Sequence, residues 1–223
     1  MVKRKNFDKE LQKIHKEILL MSSMVEEMLK DAITALKDKN VELALDVIQR
    51  DDVIDKKEID IQELCVLVIA TQQPVAKDLR LLASAFKIIT NLERIADHAV
   101  NISEITIQFK DEKYIKPLID IPRLSEIAIE VVKLSIDAYV NLDISKVDQI
   151  IEKENTIDNL FKQVYRELIT YMLEDPQKNI QQATRFIFIS SYLERVGDHG
   201  TNIFESVNYI VTGKYMDLKD FEV

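Results

Sequence analysis

Residues that break or staple a chain are scarce here. Three glycines and four prolines in 223 residues are too few for a turn-rich all-β protein. Cys65 is the sole cysteine, so no internal disulfide can form. Its place in the apolar run Leu64–Ala70 is that of a core residue rather than a nucleophile. The longest apolar run is far short of the roughly 20 residues that a membrane helix needs. The basic start MVKRKNFDKE is not followed by the apolar core of a signal segment. A soluble, reduced, cytoplasmic protein is expected. Gly-rich phosphate loops, Ser–His–Asp sets and CxxC pairs are all missing. Positive charge is short as well: the formal net charge is −9. That balance speaks against non-specific nucleic-acid binding, which needs a basic face to displace counterions. It leaves room for cations and basic protein partners.

What the chain does have is apolar periodicity. Apolar residues make up 47% of it, enough for a sizeable core. Leu11, Ile14, Ile18, Met21, Val25, Met28, Ala32 and Leu36 follow the three-and-four rhythm of an amphipathic helix. The same reasoning predicts helices over 41–72, from Pro74–Val75 to Lys110, and over 123–141, 144–174 and 176–212. Proline is placed at the first turn of the third helix because its missing N–H costs nothing there. The segment DEKYIKPLIDIPR at 111–123 reads as a linker.

The chain says almost the same thing twice. NLERIADHAVNI at 91–102 returns as YLERVGDHGTNI at 192–203. DDVID at 51–55 pairs with ENTID at 154–158, and ALKDKNVELAL at 35–45 with AYVNLDISKVD at 138–148. The repeat is a whole three-helix unit of about 100 residues. The expected architecture is all-α, with six long helices in two tandem three-helix bundles, 1–114 and 115–223, related by a pseudo-twofold axis.

On a helix, residues four apart share a face. Glu93, Asp97 and Asn101 therefore form one stripe, and Glu194, Asp198 and Asn202 another. Arg94, Arg195, His98 and His199 point away from these stripes. The preceding helices carry the pairs Asp51/Asp55 and Glu154/Asp158. Counted along antiparallel helices, the couples of the first half lie about 20 and 21 residues from the Gln73–Pro74 turn. Those of the second half lie about 19 and 20 from Asp175–Pro176. Each half thus predicts four carboxylates at one height, provided their faces point alike. Crowded carboxylates must take up protons or hold a cation. Oxygen ligands suit Mg, Ca, Mn or Fe. The alternative is an acidic patch that keeps the helices soluble or meets a partner, and spacing alone leaves both open.

The histidines are expected at a helix–helix seam. They do not follow the glutamates at the Glu-x-x-His interval of di-iron carboxylate enzymes. Gly197 and Gly200 inside the sixth helix predict a tight helix crossing. Arg80 and Lys77, after the first hairpin turn, offer an anion site or a solvated basic turn, and the second reading is favoured.

The tandem repeat, QQPVAKDLR at 72–80, and the two ERxxDH phrases together resemble the PhoU family, accessory regulators of bacterial and archaeal phosphate uptake. The resemblance covers nearly the whole chain. It implies a non-enzymatic cytoplasmic adaptor, often dimeric, that represses the phosphate-starvation response when phosphate is plentiful. Its implied partners are a phosphate-sensing histidine kinase and the ATPase subunit of the phosphate-specific ABC transporter, and it would reach the membrane only through them. It implies metal sites at Glu93, Asp97, Glu194 and Asp198, with Asp51, Asp55, Glu154, Asp158, Asn101 and Asn202 as further members. Iron is the metal the resemblance favours; zinc, magnesium, calcium or none remain open. A metal-dependent enzyme or metal store is the competing reading.

Overall fold

A computed structural model describes residues 2–218, with side chains from Phe7 onward. Six helices follow in order: α1 Val2–Asp38, α2 Val41–Gln72, α3 Lys77–Gln108, α4 Asp120–Asn141, α5 Val147–Glu174 and α6 Pro176–Thr212. The described residues contain no strand.

The breaks have local causes. Asn40 ends the first break: its side chain accepts the Leu43 N–H at 3.0 Å and caps α2. Gln73, at φ 50° and ψ 57°, closes α2 in the left-handed conformation. Asp175 accepts from the Lys178 N–H and Pro176 opens α6. Gly213 ends α6 at φ 74°.

Three boundaries differ from expectation. α3 starts at Lys77 rather than at Pro74–Val75. Ala76 adopts φ 47° and ψ −113° in a tight turn closed by Asp78 N–H donating to the Val75 carbonyl at 3.2 Å. That conformation cannot continue a helix. α4 starts at Asp120, so Pro122 belongs to its first turn instead of the linker; a first-turn N–H has no intrahelical partner to lose. α5 starts at Val147, after Ile144–Val147 forms a separate turn.

Each half packs its third helix against its first two. α3 lies on α1 and α2, and α6 on α4 and α5. The halves join mainly through α3 against α6, with α1 touching α4. Reciprocal contacts mark the pseudo-twofold axis. The His98 and Tyr192 rings stack at 5.5 Å, while His199 Nδ1 lies 2.9 Å from Asn91 Oδ1. Positions 91 and 98 correspond to 192 and 199 in the repeat. His98 and His199 meet each other between these pairs, with centroids 5.5 Å apart.

The expected tight crossing is present. A Cβ on Gly200 would lie 2.9 Å from Val131 Cγ1 and 3.2 Å from the Val132 backbone nitrogen of α4. One on Gly197 would lie 2.8 Å from Ile157 Cδ1 of α5. The linker is clasped rather than loose. Glu112 pairs with Arg185 at 2.6 Å and accepts from Gln182 at 3.0 Å. Phe109, Tyr114 and Phe186 form a ring cluster with centroids 5.0 to 5.5 Å apart.

Candidate functional site

The antiparallel run of α2 and α3 brings the first-half acids together. Asp51 and Asp55 project from α2, Glu93 and Asp97 from α3. They are close enough to oppose one another's ionisation. Burial first, then the charges of Asp97, Glu58 and Asp55, push the Glu93 carboxyl up to about 7 against the pull of Arg94. Burial, then Asp55, Asp97 and Asp52, push Asp51 up to about 6. Asp55 is raised by burial and then by Asp97, Asp52 and Glu58.

Two residues outside the expected set belong here. Glu58 faces Glu93 and Asp55 and accepts hydrogen bonds from Thr90 at 2.7 Å and Gln62 at 3.0 Å. It lies three residues after Asp55 on the same helix, so an i,i+3 reading would have found it. Arg94 was expected off the stripe, yet its long side chain bends back. Nη1 lies 3.0 Å from Asp97 Oδ2 and Nε 3.3 Å from Glu93 Oε2. The helical angle fixes the Cα–Cβ direction, whereas a flexible arginine follows the nearest negative charge.

The second half is built differently. Burial raises the Glu194 carboxyl, followed by Asp198 and Asp158, while Arg195 and Lys162 oppose the shift. Asp158 is paired with Lys162 at 3.2 Å. Glu154 is half-buried one turn before Asp158 on α5, and Asp198 is exposed on α6. Phe161 and Lys162 occupy the places that correspond to Glu58 and Ile59. The second cluster therefore has one carboxylate fewer and, beside the arginine that matches Arg94, a lysine as well.

The asparagines have contacts of their own. The Asn101 amide donates to the Asp97 carbonyl at 2.7 Å. Asn202 borders a cleft between α3 and α6, alongside Asn91, Glu205 and Tyr215.

The donor chemistry of the first cluster fits a hard cation. Among the described residues, Asp51 Oδ1 and Glu93 Oε2 are buried without a hydrogen-bond partner; the Arg94 contact to Glu93 satisfies charge but not hydrogen-bond geometry. The cluster is nonetheless open. Among the described residues, no three His, Cys, Asp or Glu side chains are gathered tightly enough to hold a metal ion. Glu93 and Asp97 are instead turned to Arg94.

The remaining candidates have structural surroundings. His98 is buried, and among the described residues neither ring nitrogen has a hydrogen-bond partner. Its pKa is pushed down to about 4 by burial, then by His199, Arg195 and Arg94. His199 is lowered by burial and then by the two arginines. Two neutral imidazoles thus fill the seam. Arg80 does not stand free in solvent: its guanidinium packs against Gly213 at the end of α6. The Cys65 thiol is buried and raised to about 11, which leaves it inert.

Two tandem all-α three-helix units, joined across their third helices and each carrying an acidic α-hairpin face, define the class of protein. The profile of the PhoU domain matches residues 18–106 and again 121–207. The chain belongs to the PhoU family. It is 38% identical to a phosphate-specific transport system accessory protein PhoU homolog of Clostridium acetobutylicum, over 97% of this chain and 99% of that protein. It is 40% identical to the corresponding Aquifex aeolicus protein, over 92% and 93%. The crystal structure of PhoU from Pseudomonas aeruginosa superposes with a TM-score of 0.88 at 35% identity, covering 93% of this chain and all of that one. The phosphate transport system regulatory protein PhoU of Streptococcus pneumoniae gives 0.87 at 26% identity.

Among the described residues, no helix is long and apolar enough to cross a membrane.

Proposed function

We propose that this chain is a non-enzymatic regulatory adaptor of phosphate uptake. The observation that carries the reading is the end-to-end likeness to phosphate-transport accessory proteins, which spans both repeats and both acidic faces. In this reading the chain represses the phosphate-starvation response when phosphate is plentiful. It does so at the cytoplasmic face of the membrane, by touching a phosphate-sensing histidine kinase and the ATPase subunit of the phosphate-specific transporter. A homodimer is the assembly proposed for it.

The acidic faces supply the recognition surface. Asp51, Asp55, Glu93 and Asp97 would hold a multivalent cation in the first half, with Glu58 beside them; iron is the first candidate. Glu154, Asp158, Glu194 and Asp198 would do so in the second. A bound cation supplies charge neutralisation there. The protein's own part is to present the carboxylates at matched heights on rigid helices, and to let Arg94 leave Glu93 and Asp97 when they turn inward. Arg94 is exposed, so its release costs little packing.

The test is capture of partners from phosphate-replete cells by the whole chain. The expected yield is the kinase and the transporter ATPase. A variant with Glu93, Asp97, Glu194 and Asp198 changed to alanine should keep its helical circular dichroism and lose most of that capture. Equal recovery of both partners by the variant would remove the acidic faces from the recognition surface.

A further inference from the structure

A notch of about 280 Å3 lies where α1, α3 and α4 meet, bridging the two halves. Its walls are apolar: Leu81 from α3, with Val140 and Leu142 from the end of α4. Its floor is a ring pair. The His15 imidazole lies over the Tyr139 ring with centroids 5.0 Å apart, and Tyr139 is itself buried. Lys16, an exposed residue, also lines it.

The charges at the notch are unusual for this chain. Aspartate and glutamate number 39 in the sequence against 30 lysines and arginines, yet among the described residues no acid lines the notch. Among the described residues, neither His15 nor Lys16 is engaged by a carboxylate. Burial alone lowers the His15 pKa, so the ring is neutral at pH 7 and offers one N–H donor without a second full charge. The last wall is the cap of α4: Leu142 takes the left-handed conformation, φ 49° and ψ 42°, a common way for a helix to end.

We propose that this notch binds a small apolar carboxylate, a medium-chain acid whose tail lies against Leu81, Val140 and Leu142 and whose head meets Lys16 and the His15 N–H. Apolar walls with a few convergent polar groups are the usual make-up of a small-molecule site, and the unmatched positive rim selects an anion among apolar ligands. The site is separate from the acidic faces, and the proposal stands whether or not those hold a cation.

The probe is octanoate, titrated into the full chain below its micelle concentration. Binding is followed in every form by NMR shifts of the Leu and Val methyls, and in the tryptophan-free wild type and Lys16→Glu also by tyrosine emission. Saturable binding is expected, with octanol about three- to five-fold weaker, the worth of one exposed charge contact. Lys16→Glu should weaken octanoate by a similar factor and leave octanol unchanged. Val140→Trp fills the notch from a position already 41% exposed, so the fold survives; it should abolish binding of both. Octanoate binding that Val140→Trp leaves intact, octanol binding as tightly as octanoate, or no saturation would each overturn the proposal. So would capture of the chain by phosphatidylglycerol vesicles that octanoate does not relieve, because the ligand would then be a membrane surface.

Discussion

Glu93 and Asp51 show how much a single residue's setting changes its chemistry. Both are ordinary acids by sequence, and both have folded pKa values raised by burial and by neighbouring carboxylates, Glu93 to about 7 and Asp51 to about 6. A raised carboxyl pKa means the folded chain holds its protons more tightly than the unfolded one. The stability this contributes is present below about pH 4, where both forms are protonated, and is lost as pH rises through 6 to 7. With a chelator present, the melting temperature should therefore fall between pH 5 and pH 8. Glu93→Gln, which is neutral at every pH, should flatten that slope and gain on the order of 1 kcal/mol at pH 8. A wild-type melting temperature that is level or rising across this window would contradict the crowding of these acids. Ala76 carries a different kind of cost. Its φ of 47° with ψ −113° suits glycine, so Ala76→Gly should stabilise the chain by about 0.5–1 kcal/mol in urea unfolding. Neither feature was fully legible beforehand. The periodicity placed Glu93 and Asp97 on one stripe, but the bend of Arg94 depends on a flexible side chain, and the turn at Ala76 carries no glycine to announce it.

Elements were read more securely than their ends. Six helices followed from the three-and-four rhythm because burial of one face is what stabilises a long helix. The ends depended on turn chemistry that alternates with little warning: Pro74 lies outside α3, whereas Pro122 lies inside α4. The two glycines of α6 test the crossing inferred from them. Both are helical, so alanine should favour the helix by about 1 kcal/mol at either position. Packing then separates them. At Gly197 the added Cβ meets the tip of Ile157 at 2.8 Å, a side chain that can change rotamer. At Gly200 it meets Val131 at 2.9 Å and the α4 backbone at Val132 N at 3.2 Å, which can yield only by moving the helix. Gly197→Ala should fall within about 1 kcal/mol of wild type, and Gly200→Ala should destabilise by roughly 1–3 kcal/mol. Thermal melts of the two variants decide it; equal effects would mean that α4 approaches α6 less closely than the structure has it.

The whole molecule is a repeat whose halves have diverged where it matters for cations. Counting residues from the two hairpin turns predicted convergent acids in both halves, because rise per residue is fixed in a helix. Counting could not foresee that the halves would differ: Glu58 adds to the first cluster, while Lys162 lies 3.2 Å from Asp158 in the second. Each half sets an arginine against its acids, Arg94 in the first and Arg195 in the second, but the second adds the Lys162 ammonium, and the orphaned oxygens of Asp51 and Glu93 are in the first. A hard cation should therefore stabilise the chain chiefly through the first half. At a concentration one hundred times its dissociation constant, a ligand specific to the folded state adds about 2.7 kcal/mol. For a chain of this length that is a rise of roughly 5–10 °C in melting temperature. Asp51→Asn with Glu93→Gln should erase most of that rise for Mg, Mn or ferric iron, and Glu154→Gln with Glu194→Gln should erase less. If the second pair of substitutions removes more than the first, Lys162 is not acting as the internal counter-ion of its half. The asymmetry also bears on recognition, since a partner approaching along the pseudo-twofold would meet one face with more carboxylates, countered by Arg94, and one with fewer, countered by both Arg195 and Lys162. An adaptor built from a duplicated unit can in this way present two different surfaces from one repeated phrase.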